Sequence, residues 1–134
     1  MNAADLFTLA RTVYGEARGE NDLGRIAVAH VVLNRFRSDK WYSAPTIAAV
    51  CRKPLQFSCW NKVDPNRATI ENANLEDRAF LGCLDVAVGV LTGRLADPTV
   101  GSTHYHAVRI HPKWAARKSP VRTIGRHLFY NDID

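Results

Sequence analysis

Two-thirds of the way along this chain the spacing of its apolar residues changes, and that change limits the folds open to it. Up to about residue 92 the apolar positions recur at three and four, the period of a helix buried on one face. Leu6, Phe7, Ala10, Val13 and Tyr14 mark a helix over 4–16, and Ile26, Ala29, Val32, Leu33 and Phe36 a second over 22–37. Phe80, Leu84, Ala87 and Leu91 mark a third over 75–92, with Asn74 as N-cap, Glu76 and Asp77 in the first turn and Gly93 as the stop. A short helix over 45–51 is read with Pro45 at its first position, broken by Lys53-Pro54. Residues 55–73 read as mostly irregular. From Thr103 onward β-branched and aromatic residues take over, and 103–110 and 123–130 read as short strands bounded by Gly and Pro. Helices first and strands later predict an α+β class, mainly helical, with a small antiparallel β element in the C-terminal third. The 134 residues suit one domain, 1–134, large enough to bury a core without disulfide or metal staples.

Composition narrows the partners. Eighteen Lys and Arg against 13 Asp and Glu give a net charge of +5. A basic surface favours polyanions such as nucleic acid, anionic lipid or cell-wall polymers. The basic residues are scattered, with no run of five or six, which argues against nucleic acid. No apolar stretch reaches transmembrane length, so no membrane insertion is expected. Met1-Asn2-Ala3-Ala4-Asp5 lacks the cationic-then-apolar order of a signal peptide, which predicts synthesis in the cytoplasm without one. Cys51, Cys59 and Cys83 are an odd set for a disulfide framework. Cys51 and Cys59 are the pair an oxidising compartment would join, but reduced, partly buried thiols are the expectation. A monomer is the default.

The stretch YGEARGE, 14–20, places Glu16 and Glu20 where glycines make a helix fail. At a helix C-terminus the dipole disfavours an ionised carboxylate, and Val13 and Tyr14 lower the local polarity. Both favour the protonated form that a general acid needs, while Arg18 opposes them. A solvated helix-end glutamate is the plain alternative. Glu20 lies at helical i+4, close enough to Glu16 to imitate the carboxylate pair of a retaining glycosidase. Such a pair must flank the scissile bond, whereas one helix face presents both groups from one side. Glu20 is therefore read as a positioning or capping residue.

Thr103-His104-Tyr105-His106 puts His104 and His106 on one face of a strand. With His111 or His127 as a third ligand they could hold a zinc-bound water, or they could line a polar cleft by hydrogen bonding. Aromatic residues alternate with polar ones in Phe57-Ser58-Cys59-Trp60-Asn61 and around Trp114 and Phe129-Tyr130, a pattern suited to sugar rings or bases, or to a core. Cys59 is the one candidate for a thiol nucleophile.

Taken together, ARTVYGEARGE (10–20), AVAHVVLNR (27–35), QFSCWN (56–61), TVGSTHYHA (99–107), Pro112 with Trp114, and IGRHLFY (124–130) resemble one family. It is the cell wall hydrolase family typified by spore-cortex-lytic enzymes, with related phage and prophage lysis proteins. The pieces occur in family order over about 6–131. The resemblance implies a lysozyme-like fold, cleavage of peptidoglycan glycan strands and Glu16 as the acid, with no cofactor or metal. A lytic transglycosylase is the reaction implied, joining the muramyl 6-hydroxyl to C1 in a 1,6-anhydro product. A muramidase using water stays open, as does a zinc amidase built on His104 and His106. A basic module that binds wall polymer or nucleic acid without cutting it is the non-enzymatic alternative. Gln56, Ser58, Trp60, Thr103, His104, Tyr105 and His127 become candidates for binding the glycan. Glu20, Tyr105 and His106 become candidates for assisting Glu16. A small, basic, leaderless domain is expected to be a phage or prophage endolysin, acting on the wall or in the periplasm after release.

Overall fold

The computed structural model describes residues 2–134. Five helices come first: α1 (Ala3–Ala17), α2 (Asp22–Arg37), α3 (Ile47–Arg52), α4 (Asn66–Asn72) and α5 (Arg78–Leu91), with a 3₁₀ turn at Ser58–Trp60. Three short strands follow: β1 (His104–Ala107), β2 (Arg122–Ile124) and β3 (His127–Tyr130). They form one antiparallel sheet in the order β1-β3-β2, with His104 opposite Tyr130 and Arg122 opposite Phe129. This is the α+β arrangement expected. No helix among the described residues is long and apolar enough to cross a membrane.

α1 is the hub. Asn2 caps it by accepting the Asp5 N–H at 2.8 Å. Its buried residues Leu9, Ala10, Val13 and Ala17 join Val28, Val32, Val50, Phe80, Val86 and Val90 in the main core. Each fully buried side chain of Val or Phe size contributes about 1.5–3 kcal/mol relative to an exposed one. α2 is buried on two sides. Val28, Ala29 and Val32 face the helical core, while Ala27 and Val31 meet Ile124 and Phe129 of the sheet. α2 thus carries the sheet and fixes it against the C-terminal end of α1.

Several expectations are corrected. α1 passes through Gly15 and ends at Ala17, so that glycine does not stop the helix. A Cβ on Gly15 would lie 2.7 Å from Cys59 Cβ, so the residue permits close packing instead. α3 begins after Pro45 because the Thr46 hydroxyl caps it, accepting from Ala49 N–H at 3.0 Å. α5 begins after Asp77, whose carboxylate accepts from Ala79 and Phe80 N–H, while Asn74 makes only a local turn with Glu76. Residues 55–73 contain α4 as well as the 3₁₀ turn; α4 buries only Ile70, so no period betrays it. β1 covers four residues of 103–110, and the 123–130 stretch falls in a hairpin, β2 and β3, that turns through Gly125 at φ +56.

Candidate active site

Glu16 sits in the last turn of α1 with a different neighbour on each carboxylate oxygen. Because Gly15 lacks a Cβ, the 3₁₀ turn packs against α1 and brings the Cys59 N–H to 3.4 Å from Oε2. From the sheet side, the Tyr105 hydroxyl donates to Oε1 at 2.5 Å. Burial, and then the neighbouring Glu16, push the Tyr105 phenol well above its ordinary value, so it remains a donor. Its ring is held edge-on to His127 and packed on Phe129. Arg18 turns away and binds the Tyr14 carbonyl and Asn66. The competition foreseen between Arg18 and the helix end therefore does not take that form.

Two hollows meet at Glu16. One is walled by Gln56, Ser58, Tyr105, His106 and buried Arg35; the other by Glu20, Arg109 and Arg126. Glu16, Ala107 and His127 line both. The carboxylate therefore stands midway along a groove, as a group acting on an internal bond of a polymer must.

Arg35 has no carboxylate partner among the described residues. Its Nε donates to the Thr103 carbonyl at 2.6 Å and its Nη1 to Gln56 Oε1 at 3.2 Å, while its guanidinium lies over Phe57 and near Tyr42. An arginine has only donors, so the Gln56 oxygen must face it and the Gln56 NH₂ is left for the groove. Sequence reading passed over Arg35 as one more scattered cation. A signal was present: Val28, Val32 and Arg35 continue one buried stripe of α2, where a charge needs a reason.

Glu20 lies beyond the end of α1, which removes the helical i+4 pairing with Glu16. Its Oε1 accepts the Arg126 N–H at 3.0 Å, and that bond holds its carboxyl below the usual range. A Cβ on Gly125 would come within 2.5 Å of the same oxygen, so glycine is required there twice, by φ and by space. Glu20 thus fastens the β2–β3 turn. The same oxygen is 3.6 Å from His127 Nδ1, a buried atom with no hydrogen bond. Burial lowers the His127 pKa, the first of several opposing influences.

The structure brings Glu16, Glu20, Gln56, Ser58, Tyr105, His106 and His127 to the groove. It places three other candidates elsewhere. Trp60 is buried, donates from Nε1 to Thr12 at 2.9 Å and borders a separate hollow. His104 is buried edge-on between Tyr42 and Trp114, and burial pulls its pKa down to about 4. Thr103 serves through its carbonyl, which holds Arg35, and its hydroxyl, 3.0 Å from His104 Nδ1.

His104 and His106 do share a face, both against Trp114. Both nitrogens of His106 and Nδ1 of His104 are committed, however. His106 Nδ1 lies 2.8 Å from the Ala107 carbonyl and Nε2 2.8 Å from the Tyr130 hydroxyl. Among the described residues no three His, Cys, Asp or Glu side chains converge as metal ligands. This donor set does not fit a zinc site. The three thiols are free and buried; burial pushes Cys51 up to about 12, Cys83 up to about 11, and Cys59 higher still, so none is a ready nucleophile.

A family profile described as "Cell Wall Hydrolase" matches residues 19–130, beginning three residues beyond Glu16. The spore cortex-lytic enzyme of Bacillus subtilis is 44% identical over 130 residues, 93% of this chain and 37% of that protein. The spore cortex-lytic enzyme of Halalkalibacterium halodurans is 31% identical over 128 residues, 95% of this chain and 34% of that protein. The chain thus spans little more than a third of those two relatives. Among solved structures, the catalytic domain of the germination-specific lytic transglycosylase SleB from Bacillus anthracis superimposes with a TM-score of 0.76. It is 29% identical and covers 96% of this chain and 95% of its own.

Proposed function

Because the chain belongs to the cell wall hydrolase family, we propose that it cleaves peptidoglycan glycan strands between N-acetylmuramic acid and N-acetylglucosamine as a lytic transglycosylase, with Glu16 as acid and then base. One observation carries the choice of reaction: no free carboxylate lies across the groove from Glu16. Among the described residues that line it, the only other carboxylate is Glu20, on the same stretch of chain and tied to Arg126. Most retaining and inverting hydrolyses use a second, opposed carboxylate. A nucleophile within the substrate needs none, and it avoids the entropy of capturing a separate reactant.

Tyr105 occupies Oε1, leaving Oε2 to carry the proton. That proton passes to the glycosidic oxygen as the bond from C1 breaks, and the N-acetylglucosamine side leaves as an alcohol. The Glu16 carboxylate then takes the proton of the muramyl 6-hydroxyl as O6 bonds to C1. The acid is regenerated, a 1,6-anhydro ring forms and no water is consumed. The Gln56 NH₂, aimed by Arg35, is a donor for a substrate carbonyl such as an N-acetyl group. Glu16→Gln keeps size and polarity but loses the proton; it is expected to fold normally and lose about 10²–10⁴-fold in rate. A folded variant with near-normal activity would remove the reading.

Host lysis as an endolysin is the finer role proposed, supported here by the net charge of +5 alone. The relatives just described are spore enzymes and lend it nothing. Expression beside a membrane pore-former should lyse cells if that role is right, and leave them intact if it is not.

A further inference from the structure

Beyond the groove lies a second hollow that the reaction does not use, and Leu55 stands on the rim of both. Leu55 is unusual twice over. The residue is 83% exposed, and its backbone is left-handed at φ 65, a conformation disfavoured for residues other than glycine. Neither feature serves the core. Val63, also lining this hollow, is 93% exposed. Arg52, Lys62 and Arg67 complete its charged lining, and no carboxylate joins them. Arg67 is engaged by Glu71 and the Trp60 carbonyl, whereas Arg52, stacked on the Trp60 ring at 4.5 Å, and Lys62 have no carboxylate partner among the described residues. The hollow is thus apolar at its rim, cationic in its wall and adjoins the catalytic groove at Leu55.

We propose that this hollow is a subsite for the peptide stem that hangs from the muramyl residue, with Arg52 and Lys62 receiving its carboxylates and Leu55 and Val63 its apolar side chains. The proposal rests on the glycan-cleavage reading for its substrate. The chemistry selects the stem. The amino-sugar backbone is an uncharged chain of hydroxyls and amides, whereas the stem carries free carboxylates and alkyl groups close to the cleaved bond. A cationic, alkyl-lined hollow matches the second and offers the first little.

Two substrates separate the possibilities: soluble stem-bearing glycan strands, and the same strands stripped of stems by an amidase, which leaves one lactyl carboxylate on each muramyl residue in place of the several carboxylates of the stem. The protein should cleave stem-bearing strands about fivefold faster at low salt, as two exposed ion pairs allow, and the preference should shrink as salt is added. The double variant Arg52→Glu/Lys62→Glu should lose the preference and keep the rate on stripped strands. Leu55→Asn, which tolerates the left-handed backbone, should reduce it without loss of stability. Equal rates on both substrates, or a double variant slowed equally on both, would overturn the subsite and leave the enzyme reading intact. Cleavage of neither substrate would remove the enzyme reading. The subsite is then decided by the amide NMR signals of Leu55, Asn61 and Lys62 in Glu16→Gln. A disaccharide-peptide should move them and the bare disaccharide should not; no difference between the two overturns it.

Discussion

At Glu16 the Tyr105 hydroxyl is the short contact and the Cys59 N–H the long one, so Tyr105 is the sharper test of how that carboxyl is held. Tyr105→Phe keeps the ring between His127 and Phe129 and deletes only the donor. A hydrogen bond to a charged group is worth enough to predict a roughly ten- to hundredfold fall in kcat, with KM little changed. An unchanged kcat would show that Glu16 needs no such support. His104 makes a prediction about pH. Burial, with Arg35 nearby, lowers its pKa from 6.5 to about 4. Between those values the unfolded chain binds the extra proton and the fold does not, so stability falls as pH drops through that window. Glu20 adds to the loss at lower pH: its depressed carboxyl stabilises the fold above 4.5, and that contribution disappears as pH falls through the folded value. Thermal melts from pH 7 to 4 should show a falling Tm, with a shallower slope between 6.5 and 4 in His104→Phe; an identical slope in the variant would contradict the assignment. The position of Glu16 at a helix end was legible, whereas its part as the acid was only implied by the family resemblance. The burial of His104 and the work of Arg35 were not legible, because both depend on residues some ten to seventy positions away.

Among the elements, the junction of α1 with the 3₁₀ turn matters most, because it aims Glu16. Gly15→Ala would set a Cβ 2.7 Å from Cys59 Cβ and 3.0 Å from Ile70 Cγ2, both on buried residues with little room to yield. Overpacking of this kind costs about 1–3 kcal/mol. It should also shift the turn that carries Cys59, so activity should fall further than stability does. Denaturant melts beside rate measurements check this; wild-type stability would mean that the turn moves freely. The long helices were readable because their periods are strong, and 22–37 matches α2 residue for residue. α4 was hidden because one buried residue gives no period. The start of α5 was misplaced because two Asx residues compete for the cap. Asp77 wins with two N–H groups and the Tyr14 hydroxyl, donated at 2.5 Å from α1, a contact no local pattern reveals.

On the scale of the molecule, a helical core on α1 holds Glu16, and a small sheet carried by α2 walls the groove beside it. The segregation of helix from strand was visible in the sequence, and so were the motifs that meet at the groove. The groove itself was not, since it exists only where 16, 56, 105 and 127 converge. Whether Glu16 works there without an opposed carboxylate is decided by mass spectrometry of the soluble products from purified peptidoglycan, run beside Glu16→Gln. The expected products are 1,6-anhydro-muramyl fragments from the unmutated protein and none from the variant. Reducing-end muramyl products would make water the acceptor and contradict the transglycosylase, and free stem peptides beside intact glycan strands would contradict glycan cleavage altogether.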